Sequence, residues 1–255
     1  MVDIRLGKKI INGIELVIFD KDGTMIDLHR YWSRIAEFRA KSICSQLSLD
    51  KKHLHGLISV MGINKNKKLR PEGPVGVKSL PFTLKALRGY LYFNDIDADD
   101  KVFLKAIKYA NRESLKHFSS MIKPVKGLHK LIGLLKRKGC KIAVATGDAT
   151  HRAKLAVDHL GLSKAVDFAV GFDKAKKQKP HPSIIEVVLK KLNTDRTNAI
   201  MIGDTISDMK MAKNARVKAA IGVGSGVIPL KELGKHTRYT TKDLMGIKIG
   251  AEGGS

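Results

Sequence analysis

IELVIFDKDGT, residues 14–24, opens as a short apolar run rich in Ile, Val and Phe and closes on two carboxylates two positions apart. A run this short, apolar on both sides of the pleat, reads as a strand covered on both faces. Similar runs recur at 141–145 (KIAVA), 166–170 (VDFAV), 199–202 (AIMI) and 217–221 (VKAAI). Between them the apolar residues fall at helical spacing. Leu128, Leu131, Ile132 and Leu135 share one face; Ile184, Val187, Val188 and Leu192 share another, in a helix opened by Pro182. Strands alternating with helices of this length imply right-handed βαβ units and a parallel sheet.

The expected fold is therefore α/β, a Rossmann-like, three-layer, doubly wound parallel sheet. One stretch breaks the pattern. Residues 26–123 show helical periodicity at about 28–48, 51–61, 82–93 and 99–121, with no buried strand, and the Pro/Gly-rich segment RPEGPVG (70–76) interrupts them. This predicts an all-α cap over 26–123, inserted into a core made of 1–25 and 124–247. Residues 248–255 read as a disordered tail.

Composition narrows the function classes. The chain has 255 residues, a formal charge of +24 and 43% hydrophobic residues, which is too apolar for a disordered protein. No apolar run reaches the ~18–20 residues of a membrane-spanning helix, and the N-terminus lacks an apolar signal region, so a cytoplasmic location is expected. Cys44 and Cys140 are too few for a disulfide framework and read as core thiols. The charge permits a nucleic-acid partner without favouring one. Lys101, Lys105, Lys108, Arg112 and Lys116 form a stripe typical of a solvated helix face, and aromatic residues for stacking bases make up only 5% of the chain.

In open parallel sheets, ligands bind beyond the carboxyl ends of the strands. Here those ends present Asp20-Lys21-Asp22-Gly23-Thr24, Thr146-Gly147-Asp148 and Gly203-Asp204-Thr205-Ile206-Ser207-Asp208, with Lys179-Pro180-His181-Pro182 before the helix at 182. Such a set suits phosphoryl transfer. Asp20 is the candidate nucleophile, giving an aspartyl-phosphate. Two anions meet there, so a cation is required; Mg²⁺ fits, with Asp20 and Asp204 as direct ligands and Asp208 either binding through water or orienting Lys179. Asp22 is the candidate acid–base residue. Gly23 permits a sharp turn close to the phosphate. Thr146 and the Gly147 N–H are candidate phosphate donors, and Lys179 a fixed positive charge for nucleophile and phosphate.

With FDKDGT (19–24), ATGD (145–148), KPHP (179–182) and GDTISD (203–208) in this order, the chain resembles the haloacid dehalogenase superfamily of phosphatases over residues 14–245 or so. More narrowly, it is similar to the phosphoglycolate-phosphatase-like members with a helical cap after the first motif. The resemblance implies a Mg²⁺-dependent phosphomonoester hydrolase with Asp20 as nucleophile, Asp22 as acid/base, Thr146 and Lys179 on the phosphate and Asp204 on the metal. Its substrate would be a small phosphorylated metabolite, acted on by a monomer or homodimer. Two positions depart from the family's pattern: Gly147 stands where many relatives have Asn, and Lys21 where they often have an apolar residue, a change that leaves the Asp22 backbone carbonyl able to serve the metal as the resemblance implies. Arg70, in the irregular cap loop, is the candidate specificity residue.

Other readings stay open at this level. The same chemistry serves a phosphotransferase or mutase acting on sugar phosphates, and a nucleic-acid-binding protein with a vestigial core is the alternative from another class. Taken singly, Asp204 or Asp208 would be a helix N-cap, Lys179 one more surface lysine beside Lys174, Lys176 and Lys177, and Asp27, His29, Arg30 and Trp32 hinge or packing residues. His53 and His55, two apart on a helix, do not face one another as metal ligands would. Gly222-Val-Gly224-Ser-Gly226 lacks the spacing of a dinucleotide site.

Overall fold

The computed structural model describes residues 1–250. In chain order, β1 (Val2–Leu6), β2 (Lys9–Ile14) and β3 (Leu16–Phe19) precede the helices α1 (Leu28–Gln46), α2 (Lys51–Val60), α3 (Leu80–Tyr92), α4 (Asp100–Lys116) and α5 (Phe118–Met121). There follow α6 (Leu128–Arg137), β4 (Lys141–Ala145), α7 (Thr150–His159), β5 (Phe168–Val170), α8 (Ser183–Leu192), β6 (Ala199–Gly203), α9 (Ile206–Ala215), β7 (Ala219–Val223), α10 (Leu230–Leu233), β8 (Tyr239–Thr241) and β9 (Lys248–Gly250). The chain divides into two compact units, one of residues 1–27 with those from 124 onward, the other Leu28–Lys123.

The first unit is built on a parallel sheet ordered β5-β4-β3-β6-β7-β8 among the described residues. The fold class is the expected one: parallel strands alternating with helices. β3 lies at the centre, with Leu16 opposite Lys141 on one side and Ala199 on the other, and its four residues are all buried. That burial on both faces is why the run carries no polar alternation. One face is sealed by α8 and α9, whose Ile184, Ile185, Val188, Leu189, Met211 and Ala212 pack on Leu16, Ile18, Ala143 and Met201. Leu128, Leu131, Ile132 and Leu135 of α6 are buried as their spacing requires.

The structure corrects several boundaries. Pro182 precedes α8 as its N-cap instead of occupying the first turn, and the helix is rotated so that Ile185 and Leu189 are buried while Val187 and Leu192 are only partly covered. β5 begins at Phe168 and β7 at Ala219, each two residues later than the apolar runs at 166 and 217. A second, antiparallel sheet ordered β2-β1-β9 was not anticipated. In it Lys248–Gly250 pairs with Asp3–Arg5, so the expected disordered tail over 248–255 is overturned for its first three residues; the rest lie outside the described residues. A three-residue strand with a single apolar side chain is too short to carry a periodic signal, and β1 supplies the edge that orders it.

In the second unit α1 packs along α4. Asp50 caps α2 and Asp99 caps α4 through their side chains. The stripe of Lys101, Lys105, Lys108, Arg112 and Lys116 is exposed along α4, while Phe103, Ala110 and Ser114 are buried opposite. His29 Nδ1 accepts the Leu69 N–H and Arg30 donates to the Ser120 carbonyl, so both brace the helices. His53 is bonded to the Tyr90 hydroxyl.

Candidate active site

Four strand-end or loop segments supply the polar groups. β3 delivers Asp20, whose backbone N–H is tied to the Ile202 carbonyl of β6 at 2.9 Å. The chain then turns tightly: the Lys21 carbonyl accepts from Met25 and Ile26, and Gly23 takes φ +85°. Glycine is needed there twice over. The conformation disfavours any side chain, and a β-carbon would lie 2.2 Å from Asp204 Oδ2. The crowding is thus against this carboxylate.

β6 delivers Asp204, and α9 begins two residues later behind a capping box: Thr205 Oγ accepts the Asp208 N–H, and Asp208 Oδ2 accepts the Thr205 N–H and hydroxyl. Asp208 is therefore the third helical residue, while Thr205 is the N-cap. Its other oxygen, Oδ1, accepts from Lys179 Nζ at 2.7 Å, and the same ammonium reaches Asp20 Oδ1 at 2.5 Å. The loop carrying Lys179 is held by Asn214, which donates to the Pro180 carbonyl, and by the Ser183 hydroxyl, which donates to the Lys177 carbonyl. Lys179 is thus no free surface lysine.

The electrostatics of this group are unbalanced. Carboxylate oxygens of Asp20, Asp204 and Asp208 lie within 4.8 Å of one another, all three residues are buried, and one lysine faces them. Burial pushes Asp20 up to about 7; Lys179 opposes this, and Asp208 and Asp22 add to it. Burial likewise raises Asp204 well above the usual carboxylate range, reinforced by the charges of Asp20 and Asp208. For Lys179, burial works against the charge, but Asp20 and Asp208 outweigh it and raise its affinity for the proton. Three buried acids against one base form a site that a small hard cation with oxygen ligands would complete, so the residues fit a divalent metal.

β4 delivers Thr146, buried, whose hydroxyl accepts the Asp148 N–H at 3.1 Å and so keeps its own proton for another acceptor. Gly147 is exposed with open space around it. Asp22 is paired with Lys21, Nζ to Oδ1 at 2.7 Å; burial raises its proton affinity and Lys21 opposes that. Arg70 belongs to the helical unit. There its guanidinium donates to the Ser59 carbonyl at 2.6 Å and, with Glu37, His55 and Lys65, lines a cavity of about 890 Å³.

Four residues around these groups lie in stretches visible in the sequence but are given no role there. Thr24 donates to Asp204 Oδ1 at 3.2 Å. Asp148 lies 3.2 Å from Lys21 Nζ. Ser225 donates to the Gly23 carbonyl at 2.6 Å, and a β-carbon on Gly226 would lie 1.9 Å from Asp204 Oδ2. The run Gly222–Gly226 thus packs a loop against Asp204. Its glycines were a visible signal, but the partner was not.

Residues 14–216 match the family model of haloacid dehalogenase-like hydrolases. The chain is 27% identical over 232 residues to a phosphoglycolate phosphatase of Aquifex aeolicus, covering 91% of this chain and 95% of that protein. It is 27% identical over 214 residues to a phosphorylated carbohydrates phosphatase of Thermotoga maritima, covering 82% and 85%. Further curated relatives are matched over about half of their own length. Among solved structures, a protein described as a predicted phosphoglycolate phosphatase from Haemophilus somnus superposes with a TM-score of 0.71 at 15% identity, over 92% of this chain and 96% of that one. No helix among the described residues is long and apolar enough to cross a membrane.

Proposed function

Because the chain belongs to the haloacid dehalogenase-like hydrolase family, as a phosphatase homologous to phosphoglycolate phosphatase, we propose that it hydrolyses small phosphate monoesters at Asp20 with Mg²⁺ as cofactor. The observation that carries this reading is the buried triad of Asp20, Asp204 and Asp208 against the single ammonium of Lys179. Such a site is short of positive charge until a divalent ion enters, and an anionic phosphate could not approach Asp20 without one.

Asp20 and Asp204 are the metal's side-chain ligands in this reading. Both Asp208 oxygens are already engaged, by Lys179 and Thr205, so Asp208 orients the lysine and meets the metal through water. Bound there, Mg²⁺ would offset the charge of nucleophile and phosphate. An Asp20 oxygen attacks phosphorus as the ester P–O bond breaks, and Asp22 gives its proton to the departing alkoxide. In the second half, water attacks the aspartyl-phosphate, Asp22 takes the water's proton, and Asp20 leaves as carboxylate. Thr146 and the Gly147 N–H donate to the non-bridging oxygens, and Lys179 holds Asp20 throughout. Arg70 is assigned to substrate choice. The relatives' names support phosphoglycolate and sugar phosphates as the substrate class.

The test is hydrolysis of p-nitrophenyl phosphate and a panel of phosphorylated metabolites, with Mg²⁺ and with chelator. Activity that needs Mg²⁺ and disappears in Asp20→Asn, with the fold retained, is the expected result. Full activity in Asp20→Asn, or indifference to chelation, would overturn the proposal.

A further inference from the structure

Lys21 stands between the two acidic residues of the first motif, and its side chain is only 1% exposed. Withdrawing an ammonium from water is costly unless charged partners replace the lost hydration. An apolar side chain of similar length would fill the space without that cost, so simple packing does not account for a lysine.

Its partners are specific. Nζ lies 2.7 Å from Asp22 Oδ1 and 3.2 Å from Asp148 Oδ2. Asp148 is itself fixed at the start of the turn into α7: its Oδ1 accepts the Ala149 N–H at 2.8 Å, and Arg152 Nε stands 3.9 Å away. The site thus holds two lysines with separate duties. Lys179 bridges Asp20 and Asp208, while Lys21 bridges Asp22 and Asp148.

We propose that Lys21, braced by Asp148, is a positioning residue for Asp22, holding one carboxyl oxygen so that the other meets the ester's leaving oxygen. This rests on the reading of Asp22 as the acid–base residue. Without the ammonium, the Asp22 and Asp148 carboxylates face each other unscreened, and Asp22 turns away from the line of proton transfer. Misplacing a catalytic group by about 1 Å costs up to about 10²-fold.

Proton donation matters only when the leaving group is poor, which gives a readout that simple destabilisation would not move. The measurement is kcat/KM, which reports the steps through departure of the alcohol, for an alkyl phosphate and for p-nitrophenyl phosphate. In Lys21→Met we expect a fall of about 10–100-fold on the alkyl ester and less than about 3-fold on the nitrophenyl ester, with the half-saturating Mg²⁺ concentration unchanged. Asp22→Asn is the reference for the full leaving-group dependence. The double variant Lys21→Met/Asp148→Asn, which removes the stranded second carboxylate, should recover part of the loss. Should Lys21→Met fail to fold, Asp148→Asn alone must still show a graded loss, of about 3–10-fold.

Equal losses on both esters, or none, would overturn the proposal. So would a graded Asp22→Asn with an ungraded Lys21→Met, and that outcome leaves the role of Asp22 intact. An ungraded Asp22→Asn would remove the role itself, and a wild-type protein that hydrolyses neither ester would remove the phosphatase reading.

Discussion

Alanine at Gly226 should cripple metal binding while leaving the fold in place. Gly226 has no left-handed φ, so the substitution adds no backbone strain. What it adds is a β-carbon 1.9 Å from Asp204 Oδ2 and 2.6 Å from that residue's Cβ and Cγ. A non-bonded carbon and oxygen settle no closer than about 3.3 Å, so the carboxylate must retreat by about 1.4 Å. It has little room to do so. Gly23 crowds the same oxygen from its own position, Thr24 holds Oδ1, and Ser225 ties the two loops together through the Gly23 carbonyl. Metal–ligand distances tolerate only about 0.2 Å. Disturbing the shell around a metal ligand commonly weakens binding about 10–100-fold, or about 1.4–2.8 kcal/mol. The half-saturating Mg²⁺ concentration for p-nitrophenyl phosphate hydrolysis should rise by that factor, with kcat at saturating metal much less affected. A value within about twofold of wild type would refute the reasoning, because Asp204 would then not be a ligand.

Three further outcomes follow from other parts of the molecule. Asp20, held up to about 7 by burial, keeps a proton in the metal-free native state that the unfolded chain has released above about pH 4; stability in chelator should therefore fall as pH rises from about 4 to 7, and Mg²⁺ should raise Tm more at pH 8 than at pH 5. Calorimetry with and without chelator checks this, and a metal-free Tm that climbs through the window contradicts it. Gly89, inside α3 with open space around its α-carbon, should accept alanine with a gain of about 0.5–1 kcal/mol, read as a Tm higher by a few degrees; a lower Tm would show an unseen contact. Cys140, whose thiol is pushed up to about 12 by burial, should stay unreactive to a disulfide reagent at neutral pH until the protein is unfolded, and rapid native-state labelling would contradict that burial.

The parallel sheet was legible because each of its central strands is buried on both faces, which leaves an apolar run with nothing to interrupt it. The helices of 28–123 were legible for the complementary reason: one solvated face and one covered face imprint a 3.6-residue period. The small antiparallel sheet escaped because β9 is only three residues long with none of them fully buried, and β2 is buried only at the isolated positions Ile11 and Ile14. Helix phase escaped too. Val187 and Ile185 are equally apolar, and only the neighbouring sheet decides which one turns inward.

The candidate site divides along the same line. Asp20, Asp22, Thr146 and Asp204 could be named as candidates because each follows a strand, and a strand's carboxyl end is where a parallel sheet offers ligands space. Local sequence carries that much, since burial pattern and strand end lie within a few residues of each other. What Lys21 is paired with, why Gly226 has no side chain, and which acids Lys179 serves are relations across the fold. Ser225 meets a carbonyl 202 positions away and Lys179 a carboxylate 159 away. Partners so distant come together through the parallel register of β3, β4, β6 and β7, and the charge balance of the pocket exists only once that register has excluded water from it.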